Sequence, residues 1–189
     1  RETDAILHVL RCFDDDNITH VDGSVDPVRD KEIIDTELQL KDLETVENRI
    51  KRVEKIAQVG NDKNAKVEYG VLTAIREALL EGKNARSVVF ESKDEQAAAR
   101  NLFLLTSKPV LYVCNVDEGS AVSGNEYVER VREAVAPEGA EILVVAAQTE
   151  ADIAELETFE ERQEFLKDVG LEESGVNRLI KAAYKLLDL

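Results

Sequence analysis

Three polar side chains follow one short apolar run near the middle of the chain. The run Val110–Cys114 is preceded by Pro109 and is rich in β-branched residues. It is typical of a strand that is buried on both faces of a parallel sheet, and ligands of such sheets bind just beyond the carboxyl ends of the strands. Asn115, Asp117 and Glu118 occupy that place. A carboxamide followed by carboxylates suits the polar edge of a purine base, although an ordinary strand-to-helix turn explains these few residues at least as well.

A second strand exit also carries small and polar residues. The strand-like run Glu141–Ala147 ends in Ala146 and Ala147, and Gln148 follows. These residues are a candidate for the other side of the same ligand site. An ordinary strand exit is the alternative interpretation.

A third strand-like run opens the chain. We expect Ala5–Phe13 to form a buried strand in which His8 is a core histidine. Arg11, near its end, is placed either to reach a ligand or to pair with one of the carboxylates of Asp14–Asp16. The segment Asp14–Asp30 is predicted to be a long polar loop.

Two adjacent heptad seams predict an antiparallel helical hairpin between these strands. Gly60 separates the two seams, and Gly82 ends the second one. Further along, Ser92 with Glu95 and Thr158 with Glu161 have the spacing of helix capping boxes. The first of these is expected to open a helix that runs to about Leu105. The seam residues are Leu43, Val46, Ile50, Val53 and Ala57 in the first helix, and Leu72, Ile75 and Leu79 in the second.

The order of the remaining segments predicts an α/β fold. A helix with Tyr127, Val128, Val131 and Val135, ended by Pro137, lies between the two later strands. A last helix covers the stretch from Val176 to Leu187. Alternation of strands and helices is the pattern of a parallel sheet with crossover helices.

Composition and missing motifs limit where the protein can be located and what chemistry it can do. No apolar run approaches the length that crosses a bilayer, and the first residues lack signal-peptide character, so we expect a cytoplasmic protein without a membrane association. Cys12 and Cys114 both lie in strand-like runs, which favours two reduced core thiols over a disulfide. No His/Cys set has metal-ligand spacing, and no serine lies in a nucleophile elbow, so the chain offers neither a metal site nor a catalytic residue.

One basic segment contrasts with the net charge of −16. Between residues 49 and 66 there are six basic residues and two acidic ones, a local net charge of +4. A solvated helix face explains this segment, and the alternative is a contact for RNA or the ribosome at the end of the hairpin. The six basic residues are Arg49, Lys51, Arg52, Lys55, Lys63 and Lys66.

An ordered set of short motifs resembles the YchF-type (EngD-type) Obg-like ATPases, which are translation-associated P-loop NTPases. The resemblance covers essentially all 189 residues, and its specificity lies in the order of the pieces rather than in any one of them. The pieces are Arg1–Ala5, His8-Val9, Arg11–Phe13, His20-Val21, Gly23, Asp26-Pro27, Glu37-Leu38, Lys108-Pro109, Asn115–Glu118, Glu150–Leu156 and Ala182–Leu187.

This resemblance implies that the chain is a fragment. The sequence contains no Gly-x-x-x-x-Gly-Lys-Ser/Thr, and the family's P-loop, switch regions and magnesium site would lie before Arg1. A TGS domain would follow Leu189. The implied fold is the second half of a Ras-like P-loop NTPase domain, formed by 1–30 and 106–189, with the antiparallel helical hairpin (coiled coil) 31–105 inserted. The full-length protein would bind ATP or GTP with Mg²⁺, whereas this chain by itself would be inactive.

The resemblance also assigns roles to residues of both strand exits. GTPases have Asn-Lys-x-Asp where this chain has Asn115, Val116, Asp117 and Glu118, and the family's Asn-x-x-Glu accompanies a preference for ATP. Asn115 is able to accept a hydrogen bond from adenine N6 and to donate one to N7, and the backbone near Val116 is expected to bind the adenine edge with it. Ala146, Ala147 and Gln148 stand where related GTPases contact the base through backbone N–H groups.

Two other interpretations remain open at this point. The chain could belong to a non-enzymatic module that binds RNA or protein through its helical hairpin, or to a GTPase with an altered base motif. In the Ras-like order that the resemblance implies, the Ala5–Phe13 strand lies between the central strand and the P-loop strand, which this sequence does not contain. One edge of the strand is then unpaired, which predicts self-association through that edge.

Overall fold

The chain folds into two compact units in the computed structural model, which describes residues 3–14 and 23–189. The helical unit comprises Glu32–Lys108 together with Thr3. The α/β unit comprises the described part of Asp4–Lys31 and the segment Pro109–Leu189.

The α/β unit contains a parallel sheet of three strands in the order β1-β2-β3 among the described residues. The strands are β1 (Ile6–Arg11), β2 (Val110–Asn115) and β3 (Ile142–Val145). The helices of this unit are α4 (Glu126–Val135), α5 (Ala147–Ala154), α6 (Phe159–Asp168) and α7 (Gly175–Leu186). This arrangement confirms the α/β class and the crossover pattern predicted from the order of segments.

Strand β2 is buried on both faces, as its apolar run predicts. Its side chains alternate between the two faces of the sheet. Tyr112 and Cys114 pack in one core with Val128, Val131 and Val135 of α4, whereas Leu111 and Val113 pack in a second core that includes Ala182 of α7. The two helix layers therefore bury every side chain from Val110 to Cys114 to at least nine-tenths.

Strand β1 departs from the prediction of a fully buried strand. Its His8 and Leu10 are buried, but Leu7 is 45% exposed and Val9 62% exposed. Leu7 and Val9 lie opposite Leu111 and Val113 of β2, on the face where α7 packs. Among the described residues, the core formed with α7 contains side chains of β2 and β3 but not Leu7 or Val9. Strand β1 is therefore an edge strand that is buried on one face only.

The two cysteines are free thiols in the core of the α/β unit. Cys12 and Cys114 are both 0% exposed. A hydrogen bond with Cys114, together with burial, raises the pKa of the Cys12 thiol above its ordinary value. The expected reduced core thiols are therefore found.

The helical unit is an antiparallel hairpin with a third helix packed on it. Arg49 of the first helix pairs with Glu68 of the second, and Gln39, earlier in the first helix, donates to the carbonyl of Gly82, just after the second. Earlier residues of the first helix thus contact later residues of the second, which shows that the two helices run antiparallel. Both predicted seams lie in one core, and of the seam residues only Leu43 is partly exposed. The helices are α1 (Pro27–Val59), of which the part from Glu32 onward belongs to this unit, α2 (Lys63–Leu80) and α3 (Lys93–Arg100).

Two predicted helix boundaries are wrong. Helix α1 begins at Pro27, inside the predicted loop, because the Asp26 side chain accepts a hydrogen bond from the Arg29 N–H and proline suits the first helical position. Residues 15–22 of that loop lie outside the described part of the chain. Helix α3 has the predicted capping box at Ser92 but ends at Arg100 rather than near Leu105.

A buried carboxylate joins two distant segments of the helical unit. Asp42 of α1 is 2% exposed and accepts hydrogen bonds from the N–H groups of Leu105 and Thr106, at 2.8 and 2.7 Å. Its Oδ2 also accepts from the Thr106 hydroxyl at 2.6 Å. The Thr106 oxygen in turn accepts from the Ala85 N–H at 2.9 Å, so Asp42 is the centre of a buried polar network.

Candidate functional site

The carboxyl ends of the three strands form one row in the α/β unit. Arg11 of β1 lies opposite Asn115 of β2, and Asn115 lies opposite Val145 of β3. The polar residues that follow β2 and the small residues that follow β3 therefore meet at one edge of the sheet, as ligand sites of parallel sheets require.

Asn115 bridges the two strand exits. Its Oδ1 accepts a hydrogen bond from the Ala147 N–H at 2.9 Å. Its main-chain carbonyl accepts from the Cys12 N–H at 2.7 Å, which fixes the residue to the β1 exit as well. Among the described residues the Nδ2 group has no hydrogen-bond partner, so it is the donor that this side chain offers outward.

Val116 and Ala146 are buried at this edge of the sheet. Val116 is 3% exposed, packs in the α4 core and donates its N–H to the Val145 carbonyl at 2.9 Å. Ala146 is 4% exposed and is the residue that precedes α5. Neither the Val116 side chain nor its N–H is free to bind a ligand.

The other candidate residues at this edge are exposed. Glu118 begins a short 3₁₀ turn, Glu118–Ser120, and its carboxylate has no partner in the described part of the chain. Ala147 is the first residue of α5. Gln148 donates to the Asp152 carboxylate at 3.2 Å, which directs its amide along α5.

Arg11 binds its own strand exit. Its Nε donates to the Phe13 carbonyl at 3.2 Å, and its guanidinium lies 5.0 Å from the centre of the Phe13 ring. Asp15 and Asp16, two of its predicted partners, lie outside the described residues. Arg11 thus shapes the β1 end of the row next to Asn115.

Sequence reasoning missed two side chains that hold this edge in place. Asn125 caps α4 through the Val128 N–H and donates to the Cys12 carbonyl at 2.7 Å. An asparagine three residues before an apolar helix position is a recognisable cap signal.

The second of these side chains is Glu150 of α5, and no local sequence pattern marks its role. Its carboxylate accepts hydrogen bonds from the Gly175 and Val176 N–H groups at 2.5 and 3.3 Å, across 25 residues of sequence. Gly175 admits this contact because an added Cβ would lie 2.7 Å from the Glu150 oxygen.

The six basic candidates all lie on the hairpin and are all exposed. Arg49 pairs with Glu68 at 2.5 Å, so its charge is partly neutralised. The other five have no ion-pair partner among the described residues. They are Lys51, Arg52 and Lys55 on α1, and Lys63 and Lys66 on α2.

Metal binding finds no support in the part of the chain that the structure describes. No group of three or more histidine, cysteine or acidic side chains there could hold an ion.

Curated relatives match the chain along its whole length. The "Ribosome-binding ATPase YchF" of Bacillus subtilis is 53% identical and that of Escherichia coli O157:H7 is 50% identical, each over 100% of this chain and 51% of the relative. The solved structure of the Schizosaccharomyces pombe YchF GTPase matches with a TM-score of 0.84 at 30% identity, over 97% of this chain and 50% of that one. No protein-family model matches the sequence.

These findings, with the sheet and its polar edge, define part of a P-loop NTPase domain that carries an inserted helical hairpin. The chain belongs to the YchF family of Obg-like ATPases. It spans about half the length of the curated relatives it matches.

Proposed function

We propose that this chain provides the purine-base-binding edge of a cytoplasmic, ribosome-associated protein that binds and hydrolyses ATP. One observation supports it most directly: the Asn115 carboxamide fixes the β2 and β3 exits together and still presents a free Nδ2 donor. The names of the relatives agree with such an activity. Within the described residues, no helix is long and apolar enough to span a membrane.

Each residue of the edge has a role in this proposal. The Asn115 Nδ2 donates to purine N7, while its Oδ1 keeps the bond to the Ala147 N–H and has a second lone pair for adenine N6. Val116 and Ala146 form the buried support, and Ala147 and Gln148 close the other side. Glu118 favours adenine over guanine, since its longer side chain does not place a carboxylate where aspartate binds guanine in Asn-Lys-x-Asp proteins.

Phosphate and metal chemistry belong to segments that this sequence does not contain. In the full-length protein, Mg²⁺ would neutralise the charge of the nucleotide phosphates. Glycine-rich phosphate loops and their lysine dominate nucleotide affinity in P-loop proteins, and none is present in these 189 residues. The chain alone is therefore proposed to be inactive.

A nucleotide titration tests this proposal and its two rivals. We expect the isolated chain to bind ATP no more tightly than about 1 mM, a binding free energy of about −4 kcal/mol. The full-length protein is expected to bind ATP at least about tenfold more tightly, and more tightly than GTP. Calorimetry with both nucleotides on both proteins measures these constants. If the full-length protein binds neither nucleotide, the non-enzymatic RNA- or protein-binding module becomes the preferred interpretation. A preference for GTP would identify a GTPase.

The basic residues of the hairpin are proposed to bind ribosomal RNA. Reversing two exposed, unpaired charges, with Lys51→Glu and Lys55→Glu together, is expected to weaken ribosome association by about tenfold at low salt. The salt dependence should also become flatter, because fewer counterions are released. Co-sedimentation of the full-length protein with ribosomes at several salt concentrations measures both effects.

A matched variant controls for the change in net charge. Lys93→Glu with Lys167→Glu makes the same change at two exposed lysines of α3 and α6 that have no ion-pair partner among the described residues. If both double variants weaken co-sedimentation equally, the hairpin surface is an ordinary solvated face.

Strand β1 is proposed to mediate self-association of the isolated chain. Its outer edge has no paired strand among the described residues, and Leu7 and Val9 are exposed beside it. Sedimentation velocity is expected to show dimers or larger species that Val9→Lys reduces. A monomer at all accessible concentrations would contradict this.

A further inference from the structure

Phe103 combines an unfavourable backbone conformation with an exposed aromatic ring. Its φ is 49°, in the left-handed region, and its side chain is 76% exposed. Such a conformation costs an L-residue free energy, and after a helix it is usually taken by glycine or asparagine. Since the ring is largely in solvent, burial in this unit does not offset that cost.

The neighbouring residues show what the conformation achieves. Leu102 is partly buried and packs against the core of the helical unit, whereas Phe103, the next residue, is exposed. The Phe103 N–H closes the end of α3 by donating to the Arg100 carbonyl at 3.2 Å. The left-handed turn therefore anchors one side chain and presents the next one to solvent. Strained residues with no structural compensation are concentrated at binding sites.

A polar hollow adjoins Phe103 on the same unit. It has a volume of about 340 Å³, and a second hollow of about 140 Å³, which Phe103 lines, shares Thr45 and Leu102 with it. The two hollows adjoin at these residues, between α1 and the segment after α3, and together they are called the groove. The larger hollow is lined by Thr45, Asn48, Arg49, Arg52, Asn101 and Leu102.

The charge of this groove is opposite in sign to that of the chain. No acidic side chain lines the larger hollow, and Arg52 has no ion-pair partner among the described residues. Arg49 forms an ion pair with Glu68, so its charge is partly neutralised. Asp42 lines the smaller hollow, but its carboxylate is buried and engaged by Leu105 and Thr106. Arg52 in the larger hollow and Lys41 in the smaller one are therefore the uncompensated charges of the groove, in a protein whose net charge is −16.

An exposed ring, a free guanidinium and two carboxamides are the groups that recognise an unpaired nucleotide. Aromatic faces stack on bases, arginine binds phosphate, and asparagine both donates to and accepts from base edges. We propose that this groove, defined by Phe103, Arg52, Asn48 and Asn101, binds an unpaired RNA nucleotide. Its base stacks on Phe103, its phosphate contacts Arg52, and the two asparagines contact the base edge.

This proposal rests on the RNA-binding function proposed above and locates one part of it. It also predicts a preference for single strands, because the bases of a duplex are stacked on each other and do not offer a free face. A surface that binds only through its charge would not discriminate in this way.

The test measures binding of the full-length protein to a fluorescein-labelled, unstructured RNA of about 12 nucleotides, with the corresponding duplex as comparison. Fluorescence anisotropy gives both dissociation constants. Phe103→Leu, which keeps an apolar side chain but removes the ring, is expected to weaken single-strand binding about tenfold. Phe103→Tyr should retain it. Phe159→Leu, at another exposed phenylalanine, is the matched control and should have no effect.

A second variant separates binding from folding. Phe103→Gly suits the left-handed conformation, so it is expected to raise the melting temperature while it weakens RNA binding as Phe103→Leu does. A variant that is more stable and binds less tightly cannot be explained by misfolding. Arg52→Gln should weaken binding and lower the salt dependence by about one counterion.

The outcomes distinguish this proposal from the broader one. If Phe103→Leu leaves single-strand affinity within twofold while Lys51→Glu with Lys55→Glu weakens ribosome association as expected, the groove proposal is wrong and the hairpin still binds RNA. If neither set of variants affects RNA or ribosome binding, both fail. If Phe103→Leu removes ribosome association but leaves RNA affinity unchanged, the groove binds a protein and the proposal is overturned.

Discussion

Replacing Asp42 with alanine is expected to lower the free energy of unfolding of the helical unit by about 3–5 kcal/mol. The substitution removes the acceptor of two main-chain N–H groups and of the Thr106 hydroxyl, all at 2.6–2.8 Å. Leu104 and Thr106 are each 1% exposed, so water cannot replace the lost carboxylate without opening the core. Urea unfolding of the full-length protein, followed by far-UV circular dichroism, measures the effect. The chain has no tryptophan to report it by fluorescence.

Two further variants show whether the network is the cause. Glu47→Ala removes an exposed carboxylate from the same helix and should change stability by less than about 0.5 kcal/mol. Thr106→Val keeps the shape of the side chain but removes its hydroxyl, and we expect an intermediate loss. If Asp42→Ala is no more harmful than Glu47→Ala, the buried network does not stabilise the unit.

Replacing Asn115 with alanine is expected to weaken ATP binding by the full-length protein by about 1–3 kcal/mol. That corresponds to about 5- to 150-fold in the dissociation constant. Two contacts are lost together: the proposed donor to purine N7, and the observed bond that holds Ala147 at 2.9 Å. Competition against a fluorescent ATP analogue measures the change.

Asn115→Asp separates these two contributions. The aspartate keeps an acceptor for the Ala147 N–H, so the join between the β2 and β3 exits is retained. It replaces the Nδ2 donor with an anionic oxygen, which repels the lone pair of purine N7. We therefore expect Asn115→Asp to weaken ATP binding at least as much as Asn115→Ala does. Unchanged affinity in both variants would show that Asn115 is not part of the base site.

The sequence by itself determined the elements and their class. The run before Asn115 is short, apolar and rich in β-branched residues, which favours a strand at the centre of a sheet, and β2 is indeed buried on both faces. The heptad seams and the spacing of Ser92 with Glu95 and of Thr158 with Glu161 depend on neighbours within a few residues. Local patterns of this kind are readable because both partners are close along the chain.

Only the tertiary structure decided which side of β1 is covered and what each site residue contacts. The apolar run of β1 looks the same whether one face or both are buried, and Leu7 and Val9 are exposed because the described helices pack over the other strands. Asn115 meets Ala147 across 32 residues, Glu150 meets Gly175 across 25, and Asp42 meets Thr106 across 64. No local pattern encodes such pairs, since each depends on how separate elements pack. The left-handed Phe103 is the clearest case: the sequence predicted a continuing helix there, and the packing of Leu102 into the helical core ends it instead.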